Sequence, residues 1–165
     1  MFRRVETCGL KFDCRDGTLD DYVLREVMNP SEYYKPLQLR GSDRVLDVGG
    51  NIGAAACLFA RHVRAVVTIE PDPENLKRIR EHIALNRLTN VEIEAGAAMG
   101  ASGEVKLYCN KLKNRAVHTV LPVKGREAIT VRALSFQDLL RKHRPSKVKV
   151  DCEGAEFDAM MSVAA

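Results

Sequence analysis

The feature that most constrains the fold is an apolar run that contains a carboxylate and opens into a glycine-rich turn, VLDVGGNIG, at residues 45–53. A second β-branched run, AVVTIE at 65–70, ends in an acidic residue, Glu70. A segment with helical spacing follows each run, and this alternation predicts parallel strands joined by helical crossovers. We therefore expect an α/β sheet whose ligand lies at the carboxyl ends of its strands.

The helix after Glu70 is the clearest local prediction. Asp72 is a suitable N-cap, Pro73 stands at the first helical position, and apolar residues recur from Leu76 at three- and four-residue steps. Four further segments are predicted: strands VEIEA (91–95) and KVKVD (147–151), an antiparallel pair GEVKLYC (103–109) with AITVRAL (128–134), and helix SFQDLLRKH (135–143) capped by Ser135. Residues 1–40 are expected to form a hairpin or short strands and a helix (from Tyr22 to Tyr34) that pack on the domain at 41–165.

Composition limits the class and location of the protein. With 165 residues and 45% apolar side chains, the chain is sized for one core. It has no apolar run of about 18 residues and no signal-peptide core, so we expect no membrane contact and a cytoplasmic location. The net charge of +4 and the 5% of aromatic residues are weak support for a dedicated nucleic-acid binder.

The glycine-rich turn distinguishes among three ligand classes. A P-loop is excluded because no GK followed by Ser or Thr occurs, and a dinucleotide fingerprint fails at Asn51 and Ala54. The carboxylate of Asp47 would repel a pyrophosphate and attract a cationic ligand such as S-adenosylmethionine. Glu70 would then accept hydrogen bonds from the ribose, with Pro71 and Asp72 beside adenine. The open alternative is that the glycines only permit tight packing and that Asp47 caps the next helix.

Three segments in order, VLDVGGNIG, IEPDPENLKRIREHIALN and KVDCEGAE, closely resemble the FkbM-type family of S-adenosylmethionine-dependent methyltransferases. The resemblance runs from about Tyr22 to Phe157. It implies a Rossmann-like class I methyltransferase sheet of strand order 3-2-1-4, and O-methylation of a hydroxyl on a sugar or natural-product scaffold. It also implies cofactor contacts: Asp47, Gly49, Gly50, Asn51 and Gly53 at the methionine end, and Ala97 and Ala98 near adenine. The usual motif has alanine at Gly50, a change we expect to be small.

The acidic turn DCEGAE (151–156) should face the glycine turn, because the fourth strand of this sheet order lies beside the first. Methyl transfer to an alcohol needs an aligned acceptor and a proton acceptor. We predict Asp151 as cofactor contact or base and Glu153 as substrate contact or base; the alternative is that these carboxylates, with Glu156, only begin a helix. No metal site is predicted from these carboxylates or from the five cysteines.

Residues outside the motifs carry weaker expectations. The four histidines, His62, His82, His118 and His143, are expected at the surface, with His118 the one to test for substrate contact. Tyr33 and Tyr34 either cover the cofactor or pack.

The sequence also departs from the family, because three strands that should follow the fourth are missing. The strand at 147–151 would be an uncovered edge, so we expect either a fragment of a longer protein or a homo-oligomer that covers the edge. Two other functions stay open. An RNA methyltransferase would explain the basic stretch from Lys111 to Arg126, although the acidic turn would repel phosphates. A catalytically incomplete cofactor-binding module would explain the missing strands.

Overall fold

The computed structural model describes residues 1–29, 37–110 and 118–164, and within these ranges it contains nine strands and five helices. Tyr33, Tyr34 and residues 111–117 of the basic stretch lie outside the described residues. The elements in chain order are β1 Phe2–Thr7, β2 Leu10–Arg15, α1 Asp20–Val27, β3 Arg44–Val48, α2 Ala54–Phe59, β4 Ala65–Glu70, α3 Pro73–Leu85, β5 Val91–Ala95, β6 Ala97–Met99, β7 Gly103–Cys109, β8 Glu127–Ser135, α4 Phe136–His143, β9 Lys147–Val150 and α5 Glu156–Ala164.

The central sheet has the order β5-β4-β3-β9, and all of its neighbouring strands are parallel. This is the predicted order 3-2-1-4, so the α/β prediction is confirmed. Strands β3 and β4 are buried along almost their whole length, as expected for a parallel sheet covered on both faces. In the described part of the chain β9 lies at the edge of this sheet.

Alternate residues of the central strands face two separate cores. Val45 and Val66 pack with β2, α1 and α2 on one side of the sheet. Leu46 and Val67 pack with α4, β6 and α5 on the other side. The period of two residues along a strand therefore places one apolar set against the N-terminal hairpin and the other against the C-terminal helices.

A second sheet of order β6-β8-β7 stands beside the first. Strands β7 and β8 are antiparallel, with Gly103 opposite Ala133, which confirms the predicted pair. The three-residue strand β6 pairs in parallel with β8, and the sequence analysis missed it because Ala97–Met99 is too short to show a period. This strand buries Ala97 and Ala98 between the two sheets.

Helix boundaries follow the predicted caps where a side chain specifies them. Asp72 Oδ1 accepts from the backbone N–H of Glu74 at 2.7 Å and begins α3, and Ser135 caps α4. The N-terminal helix begins earlier than predicted and ends at Val27. Asn29 precedes a proline, and a residue in that position is disfavoured in helical conformation. Among the described residues, every helix is too short or too polar to cross a bilayer.

The N-terminal hairpin is attached to the domain through α3. The side chain of Asn86 exchanges two hydrogen bonds of 2.8 Å with the backbone of Lys11. The backbone N–H of Asp13 donates to His82 Nε2 at 3.0 Å, and His82 Nδ1 lies 2.7 Å from the carbonyl oxygen of Ile52. Since Nε2 accepts, Nδ1 carries the proton and donates to Ile52, so the ring is neutral.

The expectation that the histidines lie at the surface is wrong for three of them. His82 is fully buried and His143 nearly so, and only 7% of the His118 side chain is exposed. Helical periodicity placed His82 and His143 on helices but could not show that other elements cover those faces. His62 is exposed.

Stability should depend on the protonation of His82. Burial lowers the pKa of the His82 imidazole, so below about pH 6.5 the unfolded chain takes up a proton that the folded chain does not. The stabilisation is complete above about pH 6.5 and is lost as the pH falls toward the lower, folded pKa. We expect the free energy of unfolding of the wild type to fall more steeply with acidification than that of His82→Gln, whose amide does not titrate.

Chemical denaturation at several pH values between about 5 and 8 measures this difference. The exposed His62→Gln variant is the control and should follow the wild type. Equal pH slopes for the wild type and His82→Gln would contradict the prediction.

Candidate functional site

Two turns meet at the carboxyl ends of the central strands. The backbone N–H of Asp151 donates to the carbonyl of Val48 at 3.0 Å, and the N–H groups of Gly49 and Gly50 donate to the carbonyl of Ile69 at 3.0 and 2.9 Å. Gly49 has φ +86°, and a Cβ there would lie 1.8 Å from the carbonyl oxygen of Asp151. Only glycine allows the glycine turn to approach the acidic turn this closely.

A cavity opens between these turns, helix α1 and the second sheet. Nine of the predicted site residues line it: Gly49, Gly50, Asn51, Glu70, Pro71, Ala97, Ala98, Asp151 and Glu153. Three others, Asp47, Gly53 and Asp72, do not line it. Most of the predicted site residues therefore lie on one continuous surface, and the remaining three lie outside its lining.

Asp47 lies inside the sheet. Its side chain is fully buried, and Oδ1 lies 3.0 Å from Lys149 Nζ, while Thr68 Oγ1 donates to Oδ2 at 2.9 Å. Asp47 and Lys149 are direct partners in the β3–β9 register. The carboxylate is thus already neutralised, which corrects the argument that its free charge attracts the ligand. It does not cap α2 either, because the N-cap of that helix is Gly53, with φ +83°.

Lys149 was missed by the sequence analysis. Its Nζ also donates to the carbonyl of Gly49 at 2.9 Å and lies 3.8 Å from Asp151 Oδ2. Burial alone would lower the pKa of Lys149, but the charges of Asp47 and Asp151 raise it. The lysine is therefore a buried cation that joins both turns, and the KVKV sequence of its strand does not separate it from Lys147.

Gly50 departs from the family motif for a reason in the neighbouring strand. A Cβ on Gly50 would lie 2.3 Å from Thr68 Oγ1, the hydroxyl that donates to Asp47. An alanine has no room there unless Thr68 rotates and gives up that hydrogen bond. The presence of glycine in place of alanine at position 50, which we expected to have a small effect, is therefore coupled to the buried pair of Asp47 and Lys149.

Glu70 connects the glycine turn to the start of α3. The backbone N–H groups of Asn51 and Asp72 donate to its two carboxylate oxygens at 2.7 and 2.9 Å. Burial raises the pKa of Glu70 to about 7, although these hydrogen bonds act in the opposite direction. The carboxylate lines the cavity. Oε1 also accepts from Asn75 Nδ2 at 3.5 Å, whereas Oε2 has a second lone pair for a ligand hydroxyl. Its predicted contact with a ribose stays a prediction.

Asn51 presents an acceptor with no partner. Its backbone is left-handed, with φ +50°, which asparagine tolerates better than most residues. Its Oδ1 is buried and has no hydrogen-bond partner among the described residues. A buried polar atom of this kind costs stability unless something satisfies it, so a ligand that donates a hydrogen bond fits this position.

The acidic turn contains two kinds of carboxylate. Glu156 accepts from the backbone N–H groups of Cys152 and Gly154, both at 2.7 Å, so it shapes the turn at the start of α5. Asp151 is about half exposed. Partial burial and the charges of Asp151 and Glu156 raise the pKa of Glu153. Asp151 and Glu153 line the cavity, whereas Glu156 does not.

His118 also lines the cavity, and its Nδ1 lies 2.7 Å from Asp72 Oδ2. With Cys109, these two residues bring three potential metal-donor atoms within 4.8 Å of one another, and Glu92, Glu94 and His143 form a similar group. The sequence analysis considered neither group, because each joins distant segments. In both groups a nitrogen already contacts a carboxylate, so we add no metal to the prediction.

Replacing Lys149 should destabilise the fold, because the buried charge on Asp47 then loses the cation beside it. We expect Lys149→Met to lower the free energy of unfolding by about 3–5 kcal/mol, because the carboxylate then keeps only the Thr68 hydroxyl. Adding Asp47→Asn should restore more than half of that loss, since the amide carries no charge. Denaturant midpoints measure both effects.

The matched control is Lys147→Met, two residues earlier on β9 and half-buried opposite Val45. It should change stability by about 0.5 kcal/mol or less. Additive losses in the Asp47→Asn, Lys149→Met double variant would contradict the coupling.

A solved structure has a similar fold. The structure is similar to the crystal structure of Methyltransferase FkbM from Methylobacillus flagellatus KT, with a TM-score of 0.54 and 18% identity over 79% of this chain and 31% of that chain. At that identity the likeness shows the fold alone.

Among curated proteins, a probable ribosomal RNA small subunit methyltransferase A of Methanosarcina barkeri is 28% identical over 98 residues, 59% of this chain and 33% of that protein. A protein-L-isoaspartate O-methyltransferase of Methanoculleus marisnigri is 37% identical over 60 residues, 36% of this chain and 27% of that protein. The chain thus spans about a third of the length of these relatives.

The family described as the Methyltransferase FkbM domain matches residues 47–164, from the buried Asp47 to the end of α5. The match includes the glycine turn, the Glu70 strand end and the acidic turn. The chain belongs to the FkbM methyltransferase domain family.

Proposed function

We propose that this chain binds S-adenosylmethionine and is a methyltransferase acting on a hydroxyl of a small-molecule or glycan acceptor. The observation that carries the proposal is the unpaired Asn51 Oδ1 in the glycine turn, beside a buried Glu70 at the next strand end. This combination offers acceptors to a ligand that carries an ammonium group and ribose hydroxyls.

The residues present fit the cofactor. Asn51 Oδ1 and the Asp151 carboxylate would hold the ammonium of the methionine part, and Glu70 would take the ribose hydroxyls. Pro71, Ala97 and Ala98 of the cavity lining offer apolar contacts to adenine. The attraction for a cation thus comes from Asn51 and Asp151.

The acidic turn supports transfer to a hydroxyl. Bound S-adenosylmethionine supplies a methyl group activated by its sulfonium, so the protein needs to align the acceptor and remove its proton. Glu153 is the stronger candidate base, since its raised pKa makes it a better proton acceptor than an ordinary carboxylate. Asp151, next to Lys149, is better suited to hold the cofactor.

An RNA acceptor is the second candidate, because the Methanosarcina relatives are described as probable ribosomal RNA methyltransferases. The described mouth of the cavity carries Glu26, Asp151 and Glu153, and a cluster of carboxylates repels a phosphate backbone. We therefore favour an acceptor without phosphates.

Cofactor binding can be tested at Asn51. Isothermal titration calorimetry with S-adenosylhomocysteine should show binding to the wild type. Asn51→Gly keeps the left-handed backbone and removes the acceptor, so it should weaken binding about tenfold. Asn51→Asp keeps an acceptor and should bind at least as well as the wild type. Absence of binding to the wild type would contradict the cofactor assignment.

The acceptor class requires a separate measurement. Incubation of the protein and tritiated S-adenosylmethionine with a cell extract should label the small-molecule or glycan fraction, and Glu153→Gln should reduce that label about a hundredfold or more. Label mainly in RNA would overturn the acceptor class. Cofactor binding without label in any fraction would favour the cofactor-binding module.

A further inference from the structure

His118 is a buried polar side chain of the cavity to which the proposed chemistry assigns no role. Its side chain is 7% exposed and it lines the cavity. Both of its ring nitrogens are buried, and neither makes a hydrogen bond in the described part of the chain. An unpaired buried ring nitrogen requires an explanation, and at a cavity wall a ligand atom can supply the missing partner.

Two elements hold the imidazole in place. Tyr108 and Thr119 form an antiparallel bridge, with N···O distances of 2.8 and 3.3 Å, and this bridge anchors the backbone next to His118. On the other side stands Asp72, whose Oδ1 is occupied by the N–H groups of Glu74 and Asn75 at the start of α3. Asp72 Oδ2 is therefore left for His118 Nδ1, at 2.7 Å.

This contact determines which ring nitrogen carries the proton. Burial acts to raise the pKa of Asp72, but the contact with His118 and the helix N–H donors hold it below its usual value, so the carboxyl is ionised. A carboxylate oxygen and an unprotonated nitrogen would repel each other at 2.7 Å. The proton therefore lies on Nδ1, although this contact lacks hydrogen-bond geometry. With the ring carrying that one proton, Nε2 is an acceptor.

The wall that contains His118 is formed by the second sheet and by residues 118–120, which the bridge between Tyr108 and Thr119 joins to that sheet. Its other members in the cavity lining are Ala97, Ala98, Leu107 and Val120, whose side chains make no hydrogen bonds. Strand β6 of this wall directly follows β5 in the chain and contacts β4, whereas Asp151 follows β9 at the opposite edge of the central sheet. A flat heteroaromatic ring suits such a wall, and His118 is its single side-chain acceptor among the described residues.

We propose that His118, oriented by Asp72, accepts a hydrogen bond from the exocyclic amine of the adenine base and so selects an adenosyl ligand over other nucleosides. The inference rests on the proposed cofactor and adds the residue that recognises its adenine base. A site whose buried acceptor matches a ligand N–H discriminates against an analogue that lacks it, because the acceptor is then left unpaired.

The test compares two ligands that differ at one edge of the base. Calorimetry would give the Kd of S-adenosylhomocysteine and of S-inosylhomocysteine, in which an oxygen replaces the amine and the neighbouring N1 carries a proton. The wild type should prefer the adenosyl ligand about tenfold or more. In His118→Ala this preference should fall to about twofold or less, while the exposed-residue control His62→Ala should keep the wild-type ratio.

A second variant tests the orientation of the ring. Asp72→Asn preserves a good N-cap, but its amide donates to His118 Nδ1 and moves the ring proton to Nε2. A donor then faces the base, and the preference should shift toward the inosyl ligand. Far-ultraviolet circular dichroism confirms folding of each variant, and Asp72→Asn still tests the proposal if His118→Ala does not fold.

The outcomes distinguish an error in the cofactor assignment from an error in the role of His118. If neither ligand binds the wild type, the cofactor assignment is wrong, and the inference about His118 is overturned with it. If both bind and His118→Ala weakens them equally, so that their ratio is unchanged, His118 is only structural and the inference alone is overturned. An unchanged ratio in Asp72→Asn would likewise overturn the orientation by Asp72.

Discussion

The buried contact between Asp47 and Lys149 is the interaction on which the site depends. The two residues are register partners on adjacent parallel strands, and Lys149 Nζ also donates to the carbonyl of Gly49. An uncompensated charge in this position would cost several kcal/mol, so the two strands and the glycine turn keep their alignment together. The contact holds the glycine turn against the acidic turn, and the ligand cavity lies between them.

Other carboxylates around the cavity also hold the backbone in place through their hydrogen-bond partners. Glu70 accepts backbone N–H groups from the glycine turn and from the start of α3, Asp72 caps α3 and contacts His118, and Glu156 shapes the acidic turn. Each carboxylate satisfies N–H groups that irregular backbone would otherwise leave without partners. Acidic residues are therefore frequent here for structural reasons, and among the described carboxylates Glu26, Glu70, Asp151 and Glu153 line the cavity.

Local signals predicted most of the fold. The β-branched runs at 45–48 and 65–70, the Asp72 cap and the Ser135 cap all mark elements that the structure contains, and the parallel order of the strands followed from their alternation with helices. The short strand β6 escaped because three small residues show no period. The histidines were assigned to the surface because periodicity describes one element and does not show what packs on it.

The chain's own residues were enough to indicate an α/β sheet, a glycine turn beside an acidic turn, and the FkbM resemblance, because each depends on order and spacing along the chain. Only the folded structure decided which carboxylates are available to a ligand. Asp47 and Lys149 are 102 residues apart in sequence number, and His118 and Asp72 are 46 apart. Their pairing depends on strand register and on the bridge at Tyr108, which bring distant charges together where burial makes each one require a partner.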